Sequence, residues 1–264
     1  MSDFVGMWHR TGERVDLTSI DAMLHAEVNP KSDGKDTWLK DSVALGHQHF
    51  WVTPEEVGER QPLVDSNSGC VLTADARLDN RQELIRLLGM DEHVSDAQIV
   101  LEAYLRWAED CPAQMLGDFA FIVWDPKRQQ LFAARDALGA EDLVYLLMNS
   151  SVILSGSVND LLAYPGFQPE LNEKAVFKYL ALNRADEEST YYENIYHVPP
   201  AHWLLIRVNE IRLQRYWEAG KGKRIRYQDS GEYAEHFREL IKSAIRTRVR
   251  SVRPAAVSLS GGLD

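Results

Sequence analysis

The chain has 264 residues, 45% hydrophobic and 26% charged, which suits one large or two modest globular domains with a sizeable core. Its 40 acidic and 29 basic residues leave a net charge of −11, which argues against nucleic acid as a partner, because binding phosphates needs a basic surface. Cys70 and Cys111 lie in unlike contexts and suggest buried thiols, not a disulfide framework or a metal site, and no leader pattern or bilayer-length apolar run is seen, so a cytoplasmic location with no membrane partner is expected.

Phe4–Trp8 reads as a strand. Asp16–Glu27 reads as a helix with Leu17, Ile20, Met23 and Leu24 on one face, followed by turn residues from Asn29 to Gly34. Val43–His47 and Phe50–Val52 are strand-like, and Gln61–Val64 leads through a polar turn to a strand over Cys70–Ala76. Two helices follow, Arg81–Leu88 and one opening at Ser95, a good N-cap with Asp96 in the first turn where negative charge is favoured. Hairpins are expected for 119–124 with 130–134, for 144–147 with 152–154, and for 203–208 with 211–217; helices are expected for 158–163 and 173–182. The pattern is α+β: two antiparallel sheets with helices on their outer faces. A linker over 219–226 then leads to a long helix over Tyr227–Arg250, and Ala255–Leu259 reads as a short buried strand.

That strand runs into Ser260-Gly261-Gly262-Leu263-Asp264. A strand followed by paired glycines and a hydroxyl exposes consecutive backbone N–H groups to a phosphate. The basic stretch before it, Lys221–Arg253, reads as a solvated helix face. His47 and His49 alternate around Gln48 and share one side of a strand, but no Cys or carboxylate has matching spacing, so no metal is expected in the N-terminal domain. Arg135-Asp136 reads as a structural ion pair at a corner, and Trp107, Trp124, Trp203 and Trp217 read as packing residues.

Several motifs occur in one order along the whole chain: Leu45-Gly46-His47, Gln61-Pro62-Leu63, Leu78-Asp79-Asn80-Arg81, Ser95-Asp96, Phe119-Ala120-Phe121, Ala134-Arg135-Asp136-Ala137-Leu138-Gly139, Ile195 to His202, Tyr216-Trp217 and the terminal Ser260 to Asp264. In that order they resemble the asparagine synthetase family. The resemblance implies an N-terminal-nucleophile-type αββα sandwich over 1–218, related to class II glutamine amidotransferases. It further implies that 227–264 is the first helix, strand and pyrophosphate loop of an α/β synthetase domain whose remainder is a partner lying beyond the sequence in hand. In the family that domain adenylates a carboxylate with ATP and Mg²⁺, and an amine then attacks to form an amide. Ser260, Gly261, Gly262 and Asp264 match the loop that holds the pyrophosphate and Mg²⁺.

The glutaminase half departs from the family pattern. Ser2 stands where active members carry the nucleophilic Cys. Either Met1 is removed and Ser2 attacks with its own α-amine as base, or Ser2 marks a lost nucleophile. His49 stands at the expected Arg. Asp75-Ala76-Arg77 aligns with the Asn-Gly-Glu that supplies the oxyanion hole and holds glutamine, so a carboxylate at position 75 is expected to repel an oxyanion and Arg77 to lose the pairing with the glutamine ammonium. Asp96 survives. The expectation is an amide ligase with an inactive glutaminase domain, similar to lasso-peptide macrolactam and β-lactam synthetases, acting on a small molecule or peptide that carries both the carboxylate and the amine. Alternatives are a glutamine-hydrolysing asparagine synthetase with a Ser nucleophile and a non-catalytic scaffold severed from its synthetase half.

Overall fold

The computed structural model describes residues 2–26, 32–148, 150–182, 187–222 and 224–257. The strands are β1 (Asp3–His9), β2 (Gly34–Lys40), β3 (Val43–His49), β4 (Leu63–Val64), β5 (Val71–Leu78), β6 (Gly117–Asp125), β7 (Gln130–Arg135), β8 (Val144–Met148), β9 (Ser151–Ser155), β10 (Ile195–His197), β11 (His202–Arg207) and β12 (Glu210–Arg215). The helices are α1 (Leu17–Met23), α2 (Arg81–Leu88), α3 (Asp96–Trp107), α4 (Val158–Leu162), α5 (Glu173–Leu180) and α6 (Ser230–Arg248).

Strand alternation builds the layers. On β6, Ala120, Ile122 and Trp124 face the other sheet, while Phe119, Phe121 and Val123 face the helices. The first sheet has the order β10-β8-β9-β1-β3-β2 and the second β12-β11-β7-β6-β5-β4. Between them Phe4, Trp8 and Leu45 meet Val71, Ile122 and Leu131, and the Trp8 and Trp124 rings lie 5.1 Å apart. Ile20 and Met23 of α1, Leu24 at its C-cap and Leu161 of α4 cover the outer face of the first sheet. Leu84 of α2 and Ile99, Val100 and Tyr104 of α3 cover the second. The result is an α+β sandwich of the αββα kind, as expected.

The local expectations hold with instructive exceptions. Leu17, the first residue of α1, is exposed and does not join the buried face of Ile20, Met23 and Leu24; Asp16 caps the helix by accepting the Thr18 N–H. The sequence pattern places turn residues up to Gly34 and no element over 35–42; Gly34–Lys40 is an edge strand, polar and half-exposed, lacking the apolar alternation that marks a covered strand. Phe50–Val52 is not strand. Arg135 and Asp136 do not form the expected pair. Arg135 pairs with Asp142 at 3.0 Å, and Asp136 accepts the N–H groups of Leu138, Ala140 and Glu141. Trp124 and Trp203 are core residues and Trp107 is half-buried, but Trp217 is exposed. Cys70 and Cys111 are buried free thiols. The helix expected over 227–250 spans Ser230–Arg248, and its Tyr233, Phe237, Leu240, Ile241 and Ile245 form an exposed apolar stripe. Ala255–Val257 form no strand; the rest of that expected strand and the loop residues Ser260, Gly261, Gly262 and Asp264 lie outside the described residues.

Gly46 on β3 lets α1 approach: a Cβ there would stand 2.7 Å from Leu24 Cδ1 and 2.9 Å from Ile20 Cγ2. Gly46→Val is therefore expected to destabilise the chain by about 1–3 kcal/mol in urea unfolding. Gly222→Val, with open space around the position, should stay within about 0.5 kcal/mol of wild type. Equal effects of the two changes would contradict this packing.

Candidate amidotransferase site

β1 begins at the edge of a cleft of about 320 Å³ lined by Ser2, Asp3, Gln48, Asp75, Glu141, Asp142 and Ser157. β1 delivers Ser2, β3 delivers Gln48, and β5 delivers Asp75. The 136–142 loop, wrapped around the buried Asp136 carboxylate, delivers Glu141 and Asp142. Gln61 fixes β5 beside Asp75: its side-chain amide donates to Ala74 O at 3.1 Å and accepts the Ala74 N–H at 2.8 Å. The Ser2 hydroxyl accepts the Phe50 N–H at 3.1 Å.

Ser2 and Asp75 also border a second, tight space of about 10 Å³ with His47, His49, Glu56, Glu59 and Gln61. The two histidines share a face, as expected, with ring centroids 4.8 Å apart. His47 lies 3.0 Å from Thr73 Oγ1, and burial, with His49 adding to it, pushes its basicity well down, so it is neutral near pH 7. His49 Nε2 lies 2.9 Å from Asp36, which Arg60 also engages at 2.7 Å. His49 thus turns to an edge-strand carboxylate instead of opening onto the cleft. That carboxylate went unnoticed because β2 went unnoticed. Among the described residues no group of three or more His, Cys, Asp or Glu could hold a metal ion.

The acids here are unusual. Burial, then the nearby Glu141 carboxylate, raises Asp75 to about 8. Burial also raises Glu59 to about 7, against the hydrogen bonds from Ser95 and Gln61 that favour its charged form. Glu141 is raised by burial and by Asp136. Asp142 goes the other way, since the His197 hydrogen bond and the Arg135 charge outweigh its burial. The raised Asp75 carboxyl keeps its proton further toward neutral pH than an ordinary carboxylate does, which weakens the repulsion of an oxyanion expected at that position.

Neither Asp96, on α3, nor Arg77, on β5, lines the Ser2 cleft. Asp96 opens α3 and is fully buried. It accepts from Arg81 at 2.8 Å, from the Leu78 N–H at 3.0 Å, and from Arg250. Arg77 donates to the carbonyls of Thr247 at 3.1 Å, Arg248, and Arg250 at 3.0 Å. Ala76 is buried against the helices that cover the second sheet. The sequence reading missed Glu56, Glu59, Glu141 and Arg250. Only Glu56 had a local signal, Thr53-Pro54-Glu55-Glu56, and its carboxylate accepts the N–H groups of Val52 and Thr53.

A glutamine amidotransferase domain family matches residues 1–217, most of the chain. The chain belongs to this family. It is of the asparagine synthetase-like kind. It is 30% identical over 254 residues to asparagine synthetase (glutamine-hydrolyzing) 3 of Bacillus subtilis, covering 93% of this chain and 41% of that protein. It is also 30% identical over 257 residues to the amidase chry2 of Gibberella zeae, covering 94% of this chain and 37% of that one. The chain thus spans less than half the length of these relatives. The glutamine phosphoribosylpyrophosphate amidotransferase from B. subtilis shares the fold, with a TM-score of 0.60 at 15% identity, over 81% of this amidotransferase-like chain and 49% of the other. Among the described residues no helix is long and apolar enough to cross a membrane.

Asp75 and Glu59 keep protons in the fold that they release when unfolded near neutral pH, so the native state binds more protons there. Their contribution is full below the ordinary carboxylate range and is lost as pH rises through about 7 and then 8. The melting temperature should fall between about pH 5 and about pH 9, and Asp75→Asn with Glu59→Gln should flatten that fall. A double variant with the wild-type slope in a pH series of thermal melts would contradict these protonation states.

Proposed function

We propose that this chain is the front part of an ATP-dependent amide-forming ligase whose amidotransferase domain has ceased to hydrolyse glutamine and serves as a scaffold. The observation that carries this reading is the state of Asp96, the one polar clamp that the family pattern retains. Arg81, Arg250 and the Leu78 N–H already consume it inside the chain. The other positions point the same way: Ser2 replaces the thiol, His49 faces Asp36, and Arg77 faces carbonyls of the C-terminal segment. A glutamine entering the Ser2 cleft would meet no Arg for its carboxylate, and the acids it would meet there, Glu141 and Asp142, come from the 136–142 loop and not from the family's clamp positions.

The amine of the amide would then come from the substrate, a small molecule or peptide that also bears the carboxylate. The names of the relatives, a glutamine-hydrolyzing asparagine synthetase and an amidase, agree with amide chemistry. ATP with Mg²⁺ would supply the activation of the carboxylate. The donor set of Ser260, Gly261, Gly262 and Asp264, a hydroxyl, backbone N–H groups and one carboxylate, suits a pyrophosphate with Mg²⁺. A second reading, a working Ser2 nucleophile, draws on the protonated Asp75, which could donate to an oxyanion.

The test is ammonia release from glutamine, with removal of Met1 checked by intact mass. Wild type, Ser2→Ala and Ser2→Cys should all stay at background, because restoring a thiol does not restore the clamp. Release by wild type that Ser2→Ala abolishes would overturn the reading in favour of a serine nucleophile. Strong release by Ser2→Cys would show the pocket to be intact.

A further inference from the structure

The C-terminal segment does not merely pass the amidotransferase-like domain. Past α6 it lies along the rim formed by β5, the start of α3 and the 52–55 turn. Arg77 donates to the last carbonyls of α6, groups that a helix leaves without intrahelical partners. Arg248 pairs with Asp118, 2.9 Å from its Oδ1, and with Asp79 at 3.0 Å. Arg250 spans Glu55 at 3.1 Å and Asp96. The Val252 N–H donates to Val52 O at 2.8 Å, and the Arg253 guanidinium lies 5.3 Å from the Phe50 ring centre.

We propose that Arg77 and Asp96, together with Glu55, form a lock for the chain's own segment 247–253, so that an external ammonium group reaches Asp96 only after Arg250 has left. This deepens the reading above, since it says what a spent glutamine clamp is used for. The chemistry is a replacement in kind. A guanidinium carried by the chain takes the place of a ligand's ammonium at a buried carboxylate, and Arg77 recruits the helix end that carries it. Because Arg250 supplies one of the two cations at a buried carboxylate, with Arg81 the other, the lock ties the position of α6 to the stability of the α2–α3 side of the domain. A movement of α6 would therefore be felt at Asp96, and the amidotransferase-like domain would act as a seat for the helix that leads into the ligase portion.

Hydrogen exchange of the 264-residue chain tests this, with the Val252 amide as reporter. Arg77→Ala and Arg250→Ala should each speed exchange of that amide by about tenfold or more, while β6 and β7 keep their protection. Arg250→Lys, which keeps the charge but loses the fork between two carboxylates, should have a smaller effect. As a surface control that spares the core, Arg248→Asp should release the segment and Arg248→Asp with Asp118→Arg should restore it. Unchanged Val252 exchange in Arg77→Ala, Arg250→Ala and Arg248→Asp alike would overturn the lock. Ammonia release from glutamine by a released variant would support the lock while contradicting the inactive reading, so the two can fail separately.

Discussion

A carboxylate with no solvent around it needs a cation, and Asp96 is such a carboxylate. Its position at the first turn of α3 is favourable for negative charge, and the Leu78 N–H adds one hydrogen bond, but neither supplies a full positive charge. Arg81 supplies one from α2 and Arg250 a second from beyond α6. Those two ion pairs join β5, α2, α3 and the C-terminal segment at a single point. Glu55 and the raised acids Glu56 and Glu59 crowd the same region, so the arginines also offset a local excess of negative charge.

The fold delivers the amidotransferase geometry even where the side chains have changed. Two six-stranded sheets pack face to face through alternating residues, and this places the starts of β1, the end of β3 and the middle of β5 around one cleft. Such a frame depends on apolar periodicity and is indifferent to whether position 2 is Cys or Ser. The chemistry depends on a few polar residues that pack against nothing essential and are free to change. Asp75 illustrates the consequence. Read as a residue type it is an anion, but its burial in the cleft and the nearby Glu141 favour the protonated form.

Much of this was legible in the sequence because the signals were local. Ser95 with Gln98 forms the capping box that starts α3, and the Arg81–Leu88 helix has the bounds its pattern implied. The β6–β7 and β8–β9 hairpins followed from apolar runs around turn residues. What escaped had no periodic signature. β2 is polar and half-exposed at a sheet edge, so the pairing of His49 with Asp36 could not be foreseen. Arg250 lies 154 residues from Asp96, and no spacing rule links them. The shift of Asp75 arises first from its burial and then from a loop 66 residues away that brings Glu141 near it, effects of topology and not of composition.

The central claim is that the glutamine pocket has lost its clamps. The most direct measurement is a titration of the 264-residue chain with L-glutamine, followed through the backbone amides of Ser2, Asp75, Leu78 and Ala97 by NMR. The account predicts no saturable shift at any of the four up to about 10 mM glutamine, weaker than about −3 kcal/mol of binding. Saturable shifts at Leu78 and Ala97 together with Ser2 would mean that glutamine displaces Arg250 from Asp96 and reaches the cleft, and the pocket would have to be regarded as a working one.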